Sequence, residues 1–454
     1  MFVSRYTLDK FMASPSNEIE NLRNLNWDFK GANTQELTHG IHVYPARMVP
    51  FIPRILIKKF SRPGEKVLDP FCGSGTVLLE AMIQQRQSVG IDINPLAVLI
   101  SQVKTTPLDL NTLIQTFNDL RKKILSDKQK ILNGTLKVEP PIFKNIQKQI
   151  NHWFKPEVQL WLTVIRRHVN NIPDEDIKKF FQVVFSNTVR KVSNTRDNEY
   201  KLYRMAPEQL EKYNPDVVQI FLDYCEQSIQ GMRDLNNFLT KGEKKLEIYR
   251  PEVLQGDFRS INLPEGEFDL MITSPPYGDS HTTVGYGQFS KFSLYWLGEE
   301  FASYIPKSRD MLGGKNKPNA KVHSETLEQT LEQIRKNESD LKRKRSIDVL
   351  SFFADYEECV KKIHENLKDN AYACFVVGNR TVREVRIRMD KITQEIGEHY
   401  GFKHVITIPR NIPTKRHPKS QKLYVDPKWE EVQGKRKAVQ IDNIVKEHIV
   451  ILQK

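Results

Sequence analysis

Two short segments of the sequence carry residue types that suit ligand binding, and the first of them suits a planar ring with an amine attached. The first is Thr273-Ser-Pro-Pro-Tyr277, which closes an apolar run of strand length. Because proline cannot continue a strand ladder, Pro275 and Pro276 end the predicted strand and hold Ser274 and Tyr277 at its carboxyl end. A hydroxyl, backbone acceptors and an aromatic face are then available together. For this motif alone, a proline turn without a function is the alternative interpretation.

The second segment is Asp69-Pro-Phe-Cys-Gly-Ser-Gly-Thr76, a glycine turn between a predicted strand and a predicted helix. Gly73 and Gly75 permit positive φ and a close approach of a ligand to the backbone, so a side chain at Gly75 is expected to exclude the ligand. The Gly-Lys-Ser/Thr ending of a phosphate loop is missing. A second predicted strand, 88–91, ends in Asp92, about 20 residues beyond the turn, where a carboxylate can bind ribose hydroxyls. The combination predicts a nucleoside-bearing cofactor, with an ordinary βαβ turn as the alternative.

Hydrophobic periodicity predicts an α/β chain interrupted by a long helical insertion. Residues 1–105 form an N-terminal segment and the first half of the α/β core. Residues 106–248 have apolar residues at helical spacing and many lysines, and they are too long for an uncovered loop. Residues 249–454 form the second half of the core, with a basic insertion at 300–350. The predicted elements are helices over 49–60, 352–367 and 387–400, and strands at 67–68, 88–91, 253–254, 268–272, 372–378, 405–408 and 448–452.

The charge of the chain indicates a polyanionic partner. The formal net charge is +13, and nucleic acid is the commonest partner of such a protein. A basic cluster around Tyr200 and Tyr203 suits a DNA backbone, although a solvated charged face is an equal alternative. The candidate DNA-binding residues are Arg190, Lys191, Arg196, Lys201 and Arg204, with Lys342 and Arg343 of a second basic run.

The cysteine spacing and the hydropathy of the sequence indicate the cellular compartment of the protein. The sequence has four cysteines without paired spacing, which argues against a zinc site or a disulfide framework and suits a reducing cytoplasm. His39 and His42 have no acidic or cysteine partner at metal spacing, so no metal is expected. The sequence shows no apolar signal core and no apolar run long enough to span a membrane. We therefore expect a cytoplasmic protein.

Three motifs together resemble those of the amino-group DNA methyltransferases of bacterial restriction–modification systems. Phe71-Cys-Gly-Ser-Gly-Thr76 resembles the cofactor motif of that family and Ser274-Pro-Pro-Tyr277 its catalytic motif. Tyr44-Pro-Ala-Arg47 is similar to the segment that the family places before the cofactor motif. The resemblance covers about 37–105 and 250–454. It implies a Rossmann-like S-adenosylmethionine-dependent methyltransferase fold, with a helical insertion that the family does not match in detail.

The resemblance also implies roles for individual residues. Asp69 would balance the methionine ammonium, Asp92 would hold the ribose and Asp257 the adenine edge. Ser274 Oγ and the Pro275 carbonyl would accept hydrogen bonds from the target amine. The full implied sets are Tyr44, Asp69, Phe71, Gly73, Gly75, Thr76, Asp92 and Asp257 for S-adenosylmethionine, and Ser274, Pro275, Pro276 and Tyr277 for catalysis, with Tyr277 stacked on a base flipped out of the duplex.

Ser274 at the first position of the catalytic motif predicts methylation of the N4-amino group of cytosine, because serine there is typical of family members that act on cytosine. Adenine N6 is the alternative base. An RNA methyltransferase and a non-catalytic DNA-binding protein on the same scaffold are alternatives of other classes. The expected partners are double-stranded DNA and a cognate restriction endonuclease. The insertion lies one strand earlier than the recognition region of the family's commonest arrangement, so either basic region remains a candidate for target recognition.

Overall fold

A computed structural model describes residues 18–196, 200–240, 247–277, 285–305, 310–338, 344–412 and 446–454. The chain divides into two compact units, each built from separate segments. We call Asn33–Thr273 with Val284–Met311 the glycine-turn unit. We call Met1–Ala32, Ser274–Thr283 and Leu312–Lys454 the proline-motif unit.

Helices and strands follow in chain order. The helices are α1 (Glu18–Arg23), a 3-10 turn (Leu37–Gly40), α2 (Phe51–Phe60), α3 (Thr76–Ile83), α4 (Pro95–Lys104), α5 (Leu110–Leu132), α6 (Gln147–Trp153), α7 (Pro156–Asn170), α8 (Glu175–Val192), α9 (Pro207–Lys212), α10 (Val217–Thr240), α11 (Tyr286–Leu297), α12 (Glu299–Ala302), α13 (Glu325–Asn337), α14 (Arg345–Asn366) and α15 (Met389–His399). The strands are β1 (Lys66–Asp69), β2 (Gln87–Asp92), β3 (Glu252–Gln255), β4 (Phe268–Thr273), β5 (Leu367–Gly378), β6 (Arg380–Val382), β7 (Val385–Ile387), β8 (Lys403–Asn411) and β9 (Lys446–Gln453).

Parallel strands form the centre of the glycine-turn unit. Strands β3, β2, β1 and β4 lie side by side in that order, and each neighbouring pair is parallel. Leu68 of β1 lies opposite Val89 of β2 and Met271 of β4. Strands β1 and β4 have the short, nearly continuous apolar runs of strands that are buried on both faces, whereas the residues of β3 are exposed or half-buried. Because parallel strands point the same way, their carboxyl ends meet at one edge of the sheet, and this edge carries the residues discussed below.

The region predicted as a helical insertion, 106–248, contains the helices α5 to α10. Trp161, Ile165 and Val169 are buried on one face of α7, as their spacing predicts. One hydrophobic core continues from α4 through α5, α7, α8 and α10 to α11, so the helical region shares a core with the α/β part of the glycine-turn unit. That residues 106–248 act as a target-recognition region of their own stays a prediction.

The proline-motif unit contains three antiparallel strands in the order β5, β9, β8. The helix predicted over 352–367 begins earlier, at Arg345. The backbone N–H groups of Arg345 and Ser346 donate to the buried Glu338 carboxylate, at 2.6 Å for Arg345. Arg345 also pairs with Asp348 at 3.3 Å. Arg345, which ends the second basic run, is therefore buried in a helix start. Its acceptor Glu338 lies seven residues earlier, which is not the spacing of a helix cap, so the sequence gives no signal for it.

The hairpin β6–β7 was also missed by sequence reasoning. Its two turn residues, Arg383 and Glu384, have φ of +50° and +66°. Two-residue turns with positive φ usually have the sequence Asn-Gly or Asp-Gly. Here the left-handed conformation is adopted by long charged residues, so no turn signal is present.

The mixed α/β arrangement confirms the predicted Rossmann-like methyltransferase fold class. The other predicted helices and strands are found with boundaries shifted by a few residues. Within the residues described, no helix is both long and apolar enough to cross a membrane.

Candidate functional site at the strand ends

Asp69 ends β1 with its carboxylate almost completely buried. The residue is 3% exposed. Its carboxylate accepts hydrogen bonds from Thr273 Oγ1 at 2.7 Å and from the Phe71 backbone N–H at 3.2 Å. Burial disfavours the ionised form and raises the pKa of Asp69 to about 7, against the lowering effect of these two donors. The nearby Asp92 carboxylate raises the pKa further.

Asp92 ends β2 beside Asp69 and keeps part of its surface accessible to solvent. It accepts from the Gly73 N–H at 3.0 Å and from the Asn94 N–H at 2.8 Å. Its surroundings nevertheless raise its pKa to about 6 through desolvation. In the described part of the chain neither acid forms an ion pair with a lysine, an arginine or a histidine. Two neighbouring carboxyl groups without a cation are a costly arrangement that is typical of functional sites.

The glycine turn wraps over this pair. Gly73 has φ of +50°, and a Cβ there would meet the Tyr44 ring at 3.6 Å, an ordinary contact. Gly75 has φ of +74° and immediately precedes Thr76, the first residue of α3. A Cβ at Gly75 would lie 2.8 Å from Ser101 Oγ and 2.9 Å from Ser101 Cα in α4. The close approach of α4 therefore requires glycine at 75. That a side chain there also excludes the cofactor stays a prediction.

Aromatic rings surround the turn. Tyr44 is buried, its ring stacks on Tyr286 with centroids 6.0 Å apart, and its hydroxyl accepts from Asn94 Nδ2 at 3.1 Å. Asp92 contributes to raising the pKa of both tyrosines above their ordinary value, after burial, which is the larger cause. Phe71 is half-buried and meets the buried Phe258 edge to face at 6.3 Å. The predicted residues Tyr44, Phe71, Gly73, Gly75, Thr76, Asp69 and Asp92 thus lie on one turn and its borders.

The segment that carries Tyr44 is anchored by buried histidines. His39 Nε2 lies 2.9 Å from Glu80 Oε1 of α3, and Arg54 of α2 binds the same carboxylate through two nitrogens. His42 Nε2 lies 2.9 Å from Ser186 Oγ of α8. Burial lowers the pKa of His39 to about 4 and that of His42 to about 3, so both rings are neutral near pH 7. These histidines make structural polar contacts, as the lack of metal-ligand spacing predicts.

Asp257, predicted to hold the adenine edge, pairs with a neighbouring arginine. It follows β3, whose end neighbours that of β2, but its carboxylate accepts from Arg259 Nε at 3.0 Å and from Arg259 Nη2 at 2.6 Å. The acceptor atoms expected to face an adenine amine are therefore engaged by Arg259. Phe258 and Arg259 were not singled out from the sequence, since nothing in their spacing marks them.

The tetrapeptide predicted to be catalytic, Ser274–Tyr277, belongs to the proline-motif unit. Ser274 Oγ and the Tyr277 hydroxyl lie 3.0 Å apart. The Tyr277 hydroxyl donates to Glu447 Oε1 at 3.2 Å, and Arg380 Nη1 donates to the Tyr277 carbonyl at 3.3 Å. Pro275 is buried. Glu447 in β9 was missed, because it lies 170 residues along the chain from Tyr277.

The basic cluster of the helical region lies around a short antiparallel bridge. Thr195 pairs with Arg204 across it, while Tyr200 and Tyr203 are 43% and 49% exposed. The Arg190 guanidinium lies over the Phe289 ring of α11 at 5.1 Å, and Tyr200 meets the same ring at 6.1 Å. Lys191 and Arg196 are exposed, Lys201 is half-buried, and Arg204 is exposed and donates to the His152 carbonyl. Lys342 and Arg343 lie outside the described residues.

One cluster among the described residues has metal-ligand types. His323, Glu357 and His399 bring their ligand atoms within 4.8 Å of one another. The two imidazole rings, however, stack nearly parallel with centroids 3.5 Å apart. A metal ion lies in the plane of each imidazole that binds it, so one ion cannot be shared by two parallel rings at this separation. The arrangement suits the short His323–Glu357 contact of 2.6 Å instead.

Comparisons of the sequence with known proteins identify DNA methyltransferases. Residues 6–103 match the family model of the N6/N4 DNA methylases. The chain is 37% identical over 405 residues to the Type II methyltransferase M.MvaI of Kocuria varians, covering 86% of this chain and 87% of that protein. It is 26% identical over 335 residues to the Type II methyltransferase M.MjaII of Methanocaldococcus jannaschii, covering 56% and 62%. Among solved structures, the rRNA methyltransferase aviRa from Streptomyces viridochromogenes aligns over 91% of this chain and 88% of that one. The identity is 9% and the TM-score is 0.30.

The packing role of Gly75 can be isolated with a matched glycine. Gly134 has φ of +78°, close to that of Gly75, but a Cβ there would meet nothing within 4 Å. Gly134→Ala should therefore cost about 1–2 kcal/mol from backbone strain alone. Gly75→Ala should cost about 1–3 kcal/mol more, because its methyl group overlaps the backbone of α4. Urea unfolding of the cofactor-free variants measures both, and an equal loss at the two positions would refute the packing explanation.

Proposed function

We propose that this chain, which belongs to the amino-group DNA methyltransferases of Type II restriction–modification systems, transfers a methyl group from S-adenosylmethionine to the N4-amino group of cytosine in duplex DNA. Membership in the family rests on the relation to M.MvaI across most of the chain. The observation that supports cytosine is Ser274 at the first position of the catalytic tetrapeptide, with its hydroxyl bonded to that of Tyr277.

The strand-end site fits S-adenosylmethionine. Its two carboxyl groups lack a cationic partner among the described residues, and the cofactor carries positive charge and ribose hydroxyls. When bound, the cofactor supplies an electrophilic methyl group on a positively charged sulfur. In this assignment Asp92, which is partly exposed, accepts from the ribose hydroxyls, and Asp69 compensates the ammonium. Tyr44, Phe71 and the Gly73–Thr76 turn border the same site. Asp257, whose carboxylate also accepts from Arg259, is assigned to the adenine amine.

The tetrapeptide orients the target amine. An aromatic amine is a weak nucleophile because its lone pair is delocalised into the ring. Hydrogen bonds from the amine to Ser274 Oγ and to the Pro275 carbonyl return electron density to the nitrogen, and they are strongest as the new bond forms. The Tyr277 ring offers a face on which an unstacked base can lie. Alignment and polarity, rather than a strong base, then supply the rate.

We expect N4-methylcytosine as the product. Digestion of methylated DNA to nucleosides followed by mass spectrometry identifies the base directly. Ser274→Ala should slow methyl transfer about 10–100-fold, the worth of one hydrogen bond that strengthens in the transition state, with little change in S-adenosylmethionine affinity. Detection of N6-methyladenine instead would contradict the cytosine assignment and leave the hydrogen-bonding mechanism in place.

DNA is proposed to contact the basic cluster around Tyr200 and Tyr203. The cluster adjoins the start of α11, where Leu202 N–H donates to Gln288 Oε1 at 3.3 Å. Helix α11 follows the tetrapeptide by only a short stretch of chain, residues 278–284, which lie outside the described part. A cognate endonuclease that cuts the same DNA sequence is the proposed partner within the system.

The contribution of the cluster can be measured by salt dependence. Replacing Lys191, Arg196 and Lys201 together with glutamine should weaken binding to a duplex of arbitrary sequence. The slope of log K against log salt should fall by up to about three units, because each lost phosphate contact releases one counterion less. Fluorescence anisotropy between about 50 and 200 mM NaCl measures the slope.

A matched control neutralises three exposed lysines elsewhere in the helical region. Lys122, Lys123 and Lys130 of α5 are exposed, and their replacement changes the net charge equally. We expect the control to leave the slope nearly unchanged. Equal effects of the two triple variants would show that only net charge matters and that the cluster is a solvated face.

A further inference from the structure

A line of hydrogen bonds leads from the catalytic serine to a buried ion pair, entirely within the proline-motif unit. Ser274 Oγ lies 3.0 Å from the Tyr277 hydroxyl, which donates to Glu447 Oε1 at 3.2 Å. The other oxygen of Glu447 accepts from Arg410 Nη1. Arg410 in turn donates from Nε to the Trp27 carbonyl at 2.9 Å.

The ion pair that ends this line is fixed by the strands. Arg410 of β8 and Glu447 of β9 are directly opposite each other in the antiparallel ladder. Their side chains are 2% and 17% exposed, so the pair is largely shielded from water. Asn411, the neighbour of Arg410, is held by the Asp28 carboxylate at 2.7 Å and 2.9 Å. Glu447 is thus presented to Tyr277 as an oriented carboxylate on a rigid strand.

The chemistry of the three side chains determines which group donates in each of these hydrogen bonds. A carboxylate only accepts hydrogen bonds, so the Tyr277 hydroxyl must spend its single proton on Glu447. The Tyr277 oxygen then has only lone pairs to offer Ser274, so the Ser274 hydroxyl donates to Tyr277. With its own proton committed in this way, Ser274 Oγ can act toward any further group only as an acceptor.

We propose that Glu447, held by Arg410, is a positioning residue that makes Ser274 an obligatory hydrogen-bond acceptor for the target amine. The inference rests on the proposed function, because it presumes that Ser274 meets an amine during methyl transfer. A free serine hydroxyl would also donate, and it would then pair equally well with a ring nitrogen or a carbonyl oxygen. The carboxylate removes that choice, and the same interaction fixes the plane of the Tyr277 ring.

A double-mutant cycle tests whether Glu447 acts on Ser274 through the Tyr277 hydroxyl. Glu447→Gln keeps the size of the side chain but introduces an amide that can donate, so the direction of the line is lost. It should lower the single-turnover rate of methyl transfer to unmodified DNA about 10–100-fold, as expected for a hydrogen bond to a charged group. Tyr277→Phe keeps the ring and removes the hydroxyl, and it should lower the rate similarly. Glu447→Gln should cause no further loss when added to Tyr277→Phe.

A merely structural role of Glu447 predicts a different result. Loss of the Arg410 pair would slow the reaction by the same factor whether or not the Tyr277 hydroxyl is present, and additive effects in the cycle would therefore overturn the proposal. A wild-type rate for Glu447→Gln would overturn it as well. If Glu447→Gln strongly lowers the midpoint of thermal unfolding, the test relies on Tyr277→Phe alone, because that variant leaves the ion pair of Glu447 and Arg410 intact. The proposal then requires that Tyr277→Phe lowers the rate of methyl transfer.

A control and a product analysis complete the design. Glu395→Gln alters another carboxylate of the same unit that accepts from hydroxyls, Ser324 Oγ and Thr326 Oγ1, both at 2.6 Å. It should leave the rate unchanged, and calorimetry should give one S-adenosylmethionine affinity for all variants. Nucleoside analysis of the wild-type product tests the proposed function separately. N6-methyladenine would contradict the cytosine assignment. If the effects of Glu447→Gln and Tyr277→Phe on adenine methylation were then non-additive, they would still support the role of Glu447.

Discussion

The structure around the site depends on the burial of the Asp69 carboxyl group at the end of a central parallel strand. With β2 on one side and β4 on the other, this group can be reached by few donors, and Thr273 and Phe71 supply them. They do not offset the loss of water, so the pKa remains raised to about 7. Asp92 beside it adds a second negative charge. A site built in this way is stabilised by a cation, and the glycine turn and its aromatic border shape the space around it.

Strand β4 links this site to the catalytic motif through the chain itself. Thr273, its last residue, donates to Asp69, and the next residue is Ser274. The bond that satisfies the buried carboxyl group thus fixes the backbone from which the tetrapeptide begins. Beyond it, Glu447 sets the direction in which the hydroxyls donate.

The sequence predicted the strands, the glycine turn and most of the site because their signals are local. Apolar runs end in Asp69, Asp92 and Thr273, and parallel strands bring such ends together without further information. It could not predict contacts made across the chain. The reason for Gly75 is a serine in α4, the carboxylate of Asp257 is engaged by Arg259, and Glu447 reaches Tyr277 from the last strand. A helix start capped by Glu338 and a hairpin turn without glycine left no pattern either.

Proton-linked binding of S-adenosylmethionine tests the account most directly. A cation beside Asp69 and Asp92 favours their ionised forms, so protons bound by the free site must leave when the cofactor binds. The free groups have pKa values of about 7 and about 6, so affinity should rise by about tenfold or more between pH 5 and pH 7.5 and then level off. Calorimetry near pH 6.5 in buffers of different ionisation enthalpy should show net proton release, and Asp69→Asn should reduce it. An affinity independent of pH over this range, or proton uptake on binding, would contradict the claim that these carboxyl groups hold the cofactor.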